Sequence, residues 1–168
     1  VDEVEKAFAG IGSGAAGSEV ATRLFGYFLT WMQEKTAQVF VVTTANDISV
    51  LPPELLRKGR FDEIFYVDFP NEAERKAIFR VHLDKRKKMN QQIDLHKLAK
   101  ATDKYSGADI ESIVKEGIER AFLANRAELD TQRLMQVIEA THPLGMVMKD
   151  KVKQYQNRFA EMKIKSAS

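Results

Sequence analysis

The chain has 168 residues, 44% hydrophobic and 30% charged, which suits one ordinary globular domain or a partial domain with a small one and excludes a disordered tail. Its formal net charge is +2 and it has no cysteine, so disulfides and thiolate metal sites are excluded. Apolar runs are too short to cross a bilayer, no signal segment opens the chain, and His82, His96 and His142 are too scattered for a histidine-rich metal site.

Residues 4–8 read as the start of a short helix, and Ala9 to Ser18 as a flexible loop poor in side chains. From Glu19 to about Gln33, Val20, Leu24, Phe28, Leu29 and Met32 recur at helical spacing and predict an amphipathic helix. Gln38 to Thr44 is a continuous β-branched and aromatic run, the pattern of a strand buried on both faces of a parallel sheet. Pro52-Pro53 breaks the chain and starts a short helix through Leu56. Ile64 to Phe69 predicts a second buried strand, stopped by Pro70.

After Pro70 the pattern is helical throughout. Glu72 to about Lys88 carries Ala77, Ile78 and Val81 on one face, and Asp94 caps a helix bearing Leu95, Leu98 and Ala99. Ser106 with Asp109 forms a capping box that opens a long helix, whose stripe is Ile110, Ile113, Val114, Ile118, Ala121 and Phe122. Asp130 or Thr131 starts a helix with Leu134, Val137 and Ile138, ended by Pro143. A last helix from about Val147 to Ile164 spaces Met148, Val152, Tyr155, Phe159 and Met162 as an apolar seam that must dock on its own domain or a neighbour. Charge changes sign near Pro70: residues 1–70 hold 6 basic and 10 acidic side chains, residues 71–168 hold 20 and 14. Two buried strands do not make a stable open parallel sheet, so further strands are expected upstream of Val1.

Four segments carry chemistry: Val1-Asp2-Glu3, Thr43-Thr44-Ala45-Asn46, Leu55-Leu56-Arg57-Lys58-Gly59-Arg60-Phe61-Asp62 and Ser106-Gly107-Ala108-Asp109. In this order and at these spacings they resemble the second half of an AAA+ ATPase module of the AAA branch, over residues 1–145. Residues 1–60 also resemble a cyanobacterial and plastid branch of that family. No phosphate-cradling glycine loop ending in Gly-Lys-Ser/Thr occurs in the chain. The resemblance implies an α/β partial P-loop NTPase (AAA+) large subdomain over 1–70, an all-α helical lid bundle over 71–145, and a C-terminal helix over 146–168.

It also implies roles. Asp2-Glu3 matches the end of a Walker B strand: Asp2 would help hold Mg²⁺ through water, and Glu3 would polarise the water that attacks the γ-phosphate of ATP. Alone, such an acidic pair equally describes a helix start. Asn46 matches sensor 1, whose amide binds the γ-phosphate or orients the lytic water; on local pattern alone an Asn capping a turn before Asp47 is the simpler description. Arg57 and Arg60 match paired arginine fingers, which reach a neighbour's nucleotide and stabilise charge on the transferring phosphoryl. Gly107 and Ala108 match the lid helix start, where backbone approaches adenine and ribose; alone, the segment is a plain capping box.

Gly12-Ser13-Gly14-Ala15-Ala16-Gly17 fits G-x-G-x-x-G but lacks the preceding strand of a dinucleotide site. Lys85-Arg86-Lys87-Lys88 fits a solvated helix end better than an anion or nucleic-acid contact. The expected function is Mg-ATP hydrolysis coupled to remodelling of a polypeptide or complex, in a homo-oligomeric ring of six, in cytoplasm or plastid stroma. The chain alone is expected to be inactive. The rival reading is a non-catalytic helical interaction module with vestigial nucleotide residues.

Overall fold

The computed structural model describes residues 1–8, 18–57, 59–124 and 128–167, so the glycine-rich stretch and Lys58 lie outside the described residues. The chain divides into two compact units, Val1–Ile64 and Phe65–Ser168.

In the first unit, α1 (Val4–Ala7) and α2 (Ser18–Glu34) are followed by two 3₁₀ turns, Ile48–Val50 and Pro53–Leu56. α2 buries Phe25 and Met32, with Phe28 and Leu29 half-buried, whereas Val20 and Leu24 face outward. The apolar face is thus rotated from the sequence expectation, because it follows an aromatic cluster. The Phe8 ring lies 4.9 Å from that of Phe25 and 5.8 Å from that of Phe28, and Phe28 stacks on Trp31.

The run 38–44 is not a strand buried on both faces. It is extended, and Phe40 is 93% exposed. Along one edge it does begin to pair. The Val1 amine donates to Val42 O at 2.7 Å, and Thr44 N donates back to Val1 O at 3.0 Å, the slanted pattern of a parallel ladder. A strand buried on both faces needs neighbours that cover both, whereas here the backbone pairing is with residues 1–4 along one edge.

The second unit is a helical bundle with a short two-stranded element. Its helices are α3 (Glu72–Lys85), α4 (Leu95–Ala101), α5 (Gly107–Leu123), α6 (Thr131–Ala140), α7 (Leu144–Val147) and α8 (Lys149–Glu161). Caps set the boundaries. Asn71 with Glu74 and Ser106 with Asp109 form capping boxes, and the Asp94 and Asp130 carboxylates accept first-turn amides. Phe79, Leu83, Leu98, Ile110, Ile113, Val114, Leu134 and Val137 are fully buried at the centre, each stabilising by about 1.5–3 kcal/mol relative to exposure.

Two helix faces depart from expectation. α3 buries Arg75, Phe79 and Leu83, while Ala77 and Val81 are exposed, and it ends at Lys85 because Lys87 turns left-handed (φ 53°). Phe122 at the far end of α5 is exposed. The strand expected over 64–69 is reduced to β1 (Phe65–Tyr66), which pairs in parallel with β2 (Lys165–Ser166) from the chain's far end. The seam of α8 docks within its own unit: the Phe159 ring stacks on Tyr66 at 4.3 Å, and Gln156 donates to Asp68 at 2.7 Å. Burial beside Asp68 pushes the Tyr66 hydroxyl up to about 12.

Candidate active site

The parallel pairing of 1–4 with 42–44 brings together residues about forty positions apart in the first unit. Thr44 is the pivot. Its hydroxyl donates to Asp2 Oδ1 and accepts from Glu3 N at 2.9 Å, while Val4 N donates to Thr44 O at 2.9 Å. Two residues further, Asn46 Nδ2 donates to Glu3 Oε1 at 2.8 Å, and Asn46 N donates to Glu5 Oε1 at 3.1 Å. Asp2, Glu3 and Asn46 thus form one hydrogen-bonded group at the end of the extended segment.

Glu3 is held in the left-handed region (φ 50°), which costs a non-glycine residue about 1–3 kcal/mol and persists only where surroundings impose it. Lys6 contacts its other oxygen, Oε2, at 2.5 Å. The hydrogen bond from Lys6 and then that from Asn46 hold the Glu3 carboxyl below the usual carboxylate range, so it is anionic at neutral pH. An anionic, oriented carboxylate can polarise a water. It is not a proton store at pH 7.

Among the described residues no group of three or more His, Cys, Asp or Glu could hold a metal ion by itself.

The two arginines lie at the 3₁₀ turn Pro53–Leu56, anchored by the buried Leu55. Arg57 is exposed, and its side chain has no hydrogen bond or ion pair among the described residues. Gly59 (φ 92°) reverses the chain, a conformation that an L side chain strains to adopt, and Arg60 Nη1 then donates to Glu54 O. Arg60 Nε is buried with no hydrogen-bond partner among the described residues. Neither arginine bonds Asp2, Glu3 or Asn46, so the structure does not bring the arginines into that group.

Gly107 and Ala108 belong to the second unit, at the start of α5. Ser106 Oγ accepts from Asp109 N at 3.1 Å and the Asp109 carboxylate accepts from Ser106 N at 2.8 Å. A Cβ at Gly107 would meet only Ile78 Cδ1, at 3.9 Å, and φ is not positive there, so no packing or backbone constraint requires glycine. Arg86 from the basic run 85–88 is committed to Glu111 at 2.7 Å. Thr44 and Lys6 escaped the sequence reading. The doubled threonine before Ala45-Asn46 was the available signal for the first, and the helical spacing from Glu3 for the second.

Family models match the chain in two places: the ATPase family associated with various cellular activities (AAA) over residues 1–69, and the AAA+ lid domain over residues 92–136. The uncharacterized AAA domain-containing protein ycf46 of Pyropia yezoensis is 43% identical over the whole chain, and that of Guillardia theta 40%. The chain spans about a third of the length of these relatives, 34% and 33%. The ATP-dependent zinc metalloprotease FtsH 1 of Sphaerobacter thermophilus is 33% identical over 142 residues, 83% of this chain and 22% of that protein. No described helix is long and apolar enough to cross a membrane. With the AAA model matched over residues 1–69, the AAA+ lid model over 92–136 and relatives similar over its whole length, the chain belongs to the AAA family of ATPases, as the C-terminal part of an AAA+ module.

Proposed function

We propose that this chain is the back half of a Mg-ATP hydrolase that remodels a polypeptide or a complex. The observation that carries the reading is the Asn46–Glu3 hydrogen bond, which joins an amide able to hold a phosphate oxygen or water to an anionic carboxylate able to polarise that water. Asp2 would be the carboxylate on the Mg²⁺ side, through water. The ion would neutralise charge on the β- and γ-phosphates.

Arg57 and Arg60 are the arginine fingers of this reading. Arg57 is exposed and has no side-chain partner among the described residues, which suits a residue that serves another subunit. A guanidinium inserted in trans is worth about 10³–10⁵ in turnover. The partners are therefore neighbouring subunits of a homo-oligomeric ring, six in the family's usual arrangement. Gly107 and Ala108 would take adenine and ribose at the lid, over residues 71–145, with 1–70 supplying the hydrolytic residues and 146–168 a C-terminal helix. An aqueous compartment, cytoplasm or plastid stroma, follows from the resemblance to the cyanobacterial and plastid branch.

Hydrolysis needs a backbone cradle and a lysine for the β- and γ-phosphates, and none of the glycine segments in residues 1–168 ends in Gly-Lys-Ser/Thr. The test is Mg-dependent ATP turnover by residues 1–168 alone and by the same residues joined to a Gly-Lys-Ser/Thr-bearing half. Turnover is expected only from the second. Robust turnover by the first, or none by the second, overturns the reading and favours a helical interaction module.

A further inference from the structure

Among the described residues, the second unit buries one guanidinium. Arg75, in the first turns of α3, is 6% exposed. A buried charge costs several kcal/mol unless its hydrogen-bonding capacity is met, roughly as much as an ion pair returns. Here no close ion pair exists: the nearest carboxylate, Asp103 Oδ1, is 4.0 Å from Nη1 on a largely exposed side chain. Backbone carbonyls do the work instead. Nε donates to Ala99 O at 3.0 Å and Nη1 donates to Pro70 O at 2.7 Å.

Both acceptors sit at critical places. Ala99 is in the last turn of α4, where carbonyls lack intrahelical donors, and a cation there also opposes the negative helix end. The same oxygen accepts from the buried Thr102 hydroxyl at 3.3 Å. Pro70 immediately precedes the Asn71 cap of α3, where the chain enters the bundle. An apolar side chain could fill the volume. Only a planar fork of donors can also fix two carbonyls of different segments relative to each other.

From Thr102 the chain runs directly into the candidate nucleotide contact. Tyr105 N donates to Thr102 O at 3.2 Å, and the Tyr105 hydroxyl donates to Ile138 O at 3.1 Å and Thr141 O at 2.9 Å. Ser106 then caps α5 at Gly107. We propose that Arg75 is a positioning residue: by bridging Pro70 and Ala99 it fixes the Thr102–Ser106 turn, and with it Gly107 and Ala108, relative to the segment by which the chain enters the bundle. The proposal rests on the reading of Gly107 and Ala108 as nucleotide contacts.

Two readouts test it, with Arg75→Met and Arg75→Lys. In residues 1–168, amide hydrogen exchange of Tyr105 and Ser106 should accelerate in Arg75→Met while the amides of α6 keep their protection. In the ATPase-competent protein, KM for ATP should rise about five- to tenfold with kcat within about twofold, the pattern of lost uniform binding. Arg75→Lys should fall between, since an ammonium reaches one carbonyl well and not two. Unchanged exchange at 105–106 overturns the clamp. Faster exchange with unchanged KM, or both variants failing to fold, overturns the positioning role and leaves Arg75 a core residue. If wild type hydrolyses no ATP, the functional reading fails while the exchange experiment still decides the clamp.

Discussion

The Asn46 side-chain amide donates to Glu3 Oε1 at 2.8 Å, joining residues 43 positions apart in the first unit. If that pair orients the lytic water, Glu3→Gln should lower turnover of the ATPase-competent protein by about 10²–10⁴ while leaving ATP binding intact. Asn46→Ala should lower it less, since the carboxylate survives. Steady-state hydrolysis beside a nucleotide-binding isotherm separates the two, and lost binding in Glu3→Gln would place Glu3 elsewhere in the cycle.

Arg57 and Arg60 differ in what holds them, so their substitutions should differ. Arg57→Ala removes an exposed guanidinium that has no partner among the described residues, and should lower turnover by about 10³ or more without changing the melting temperature. Arg60→Ala also removes the bond to Glu54 O and should cost some stability. Mixing Arg57→Ala with Glu3→Gln subunits should restore part of the activity, because each supplies what its neighbour lacks. No restoration in any mixture would mean that Arg57 acts within its own subunit.

Gly107→Ala is expected to leave the unit as stable as wild type or slightly more so, because no atom but Ile78 Cδ1 at 3.9 Å meets the new methyl and alanine suits a helix better. If backbone at this position approaches the nucleotide, ATP affinity should nevertheless fall. A stability loss in thermal melts would show that the glycine is structural.

Two other glycines should separate by what blocks them. At Gly145 a Cβ would lie 2.6 Å from the Lys104 carbonyl oxygen and 3.0 Å from the Phe69 ring. Backbone cannot yield cheaply, so Gly145→Ala should destabilise by about 1–3 kcal/mol. At Gly117 the first obstacle is the Leu134 Cδ2 methyl at 2.7 Å. Rotamer adjustment and the helix gain of about 1 kcal/mol offset part of that cost. Urea denaturation should rank Gly145→Ala the less stable.

Glu111 gives a pH-dependent prediction. Hydrogen bonds from Lys115 and then Arg86 hold its carboxyl down at about 2. A depressed folded-state value means that the stabilisation is fully present above the unfolded value near 4.5 and is lost as pH falls toward 2. Glu111→Gln should therefore melt below wild type at pH 6, and the gap should close between pH 4.5 and pH 2. A gap independent of pH would rule out this linkage.

What the sequence disclosed follows the range of the interactions. The Ser106–Asp109 box and the stripe from Ile110 to Ala121 depend on neighbours within one helix and were legible. So was the grouping of Asp2-Glu3 and Asn46 as candidates, though not the Thr44 hydroxyl that organises them. The α3 face was misphased because Ala77 and Val81 look apolar, whereas burial follows the larger Phe79 and Leu83, with Arg75 beside them on the inner face. No local pattern foretells a buried arginine shared between the nearby Pro70 carbonyl and the distant Ala99 carbonyl. Phe40 misled for the same reason: a run's β-propensity states what it prefers to pair with, not whether anything lies beside it.

The pairing of Phe65–Tyr66 with Lys165–Ser166 has a mechanical consequence. The strands are parallel, and the chain enters at the start of one and leaves at the end of the other. Tension applied between residue 64 and residue 167 therefore loads the ladder lengthwise, with its hydrogen bonds and the Tyr66–Phe159 stack strained together instead of being peeled open one by one. A pull across the two ends of the second unit therefore meets this ladder before it reaches the helices between them.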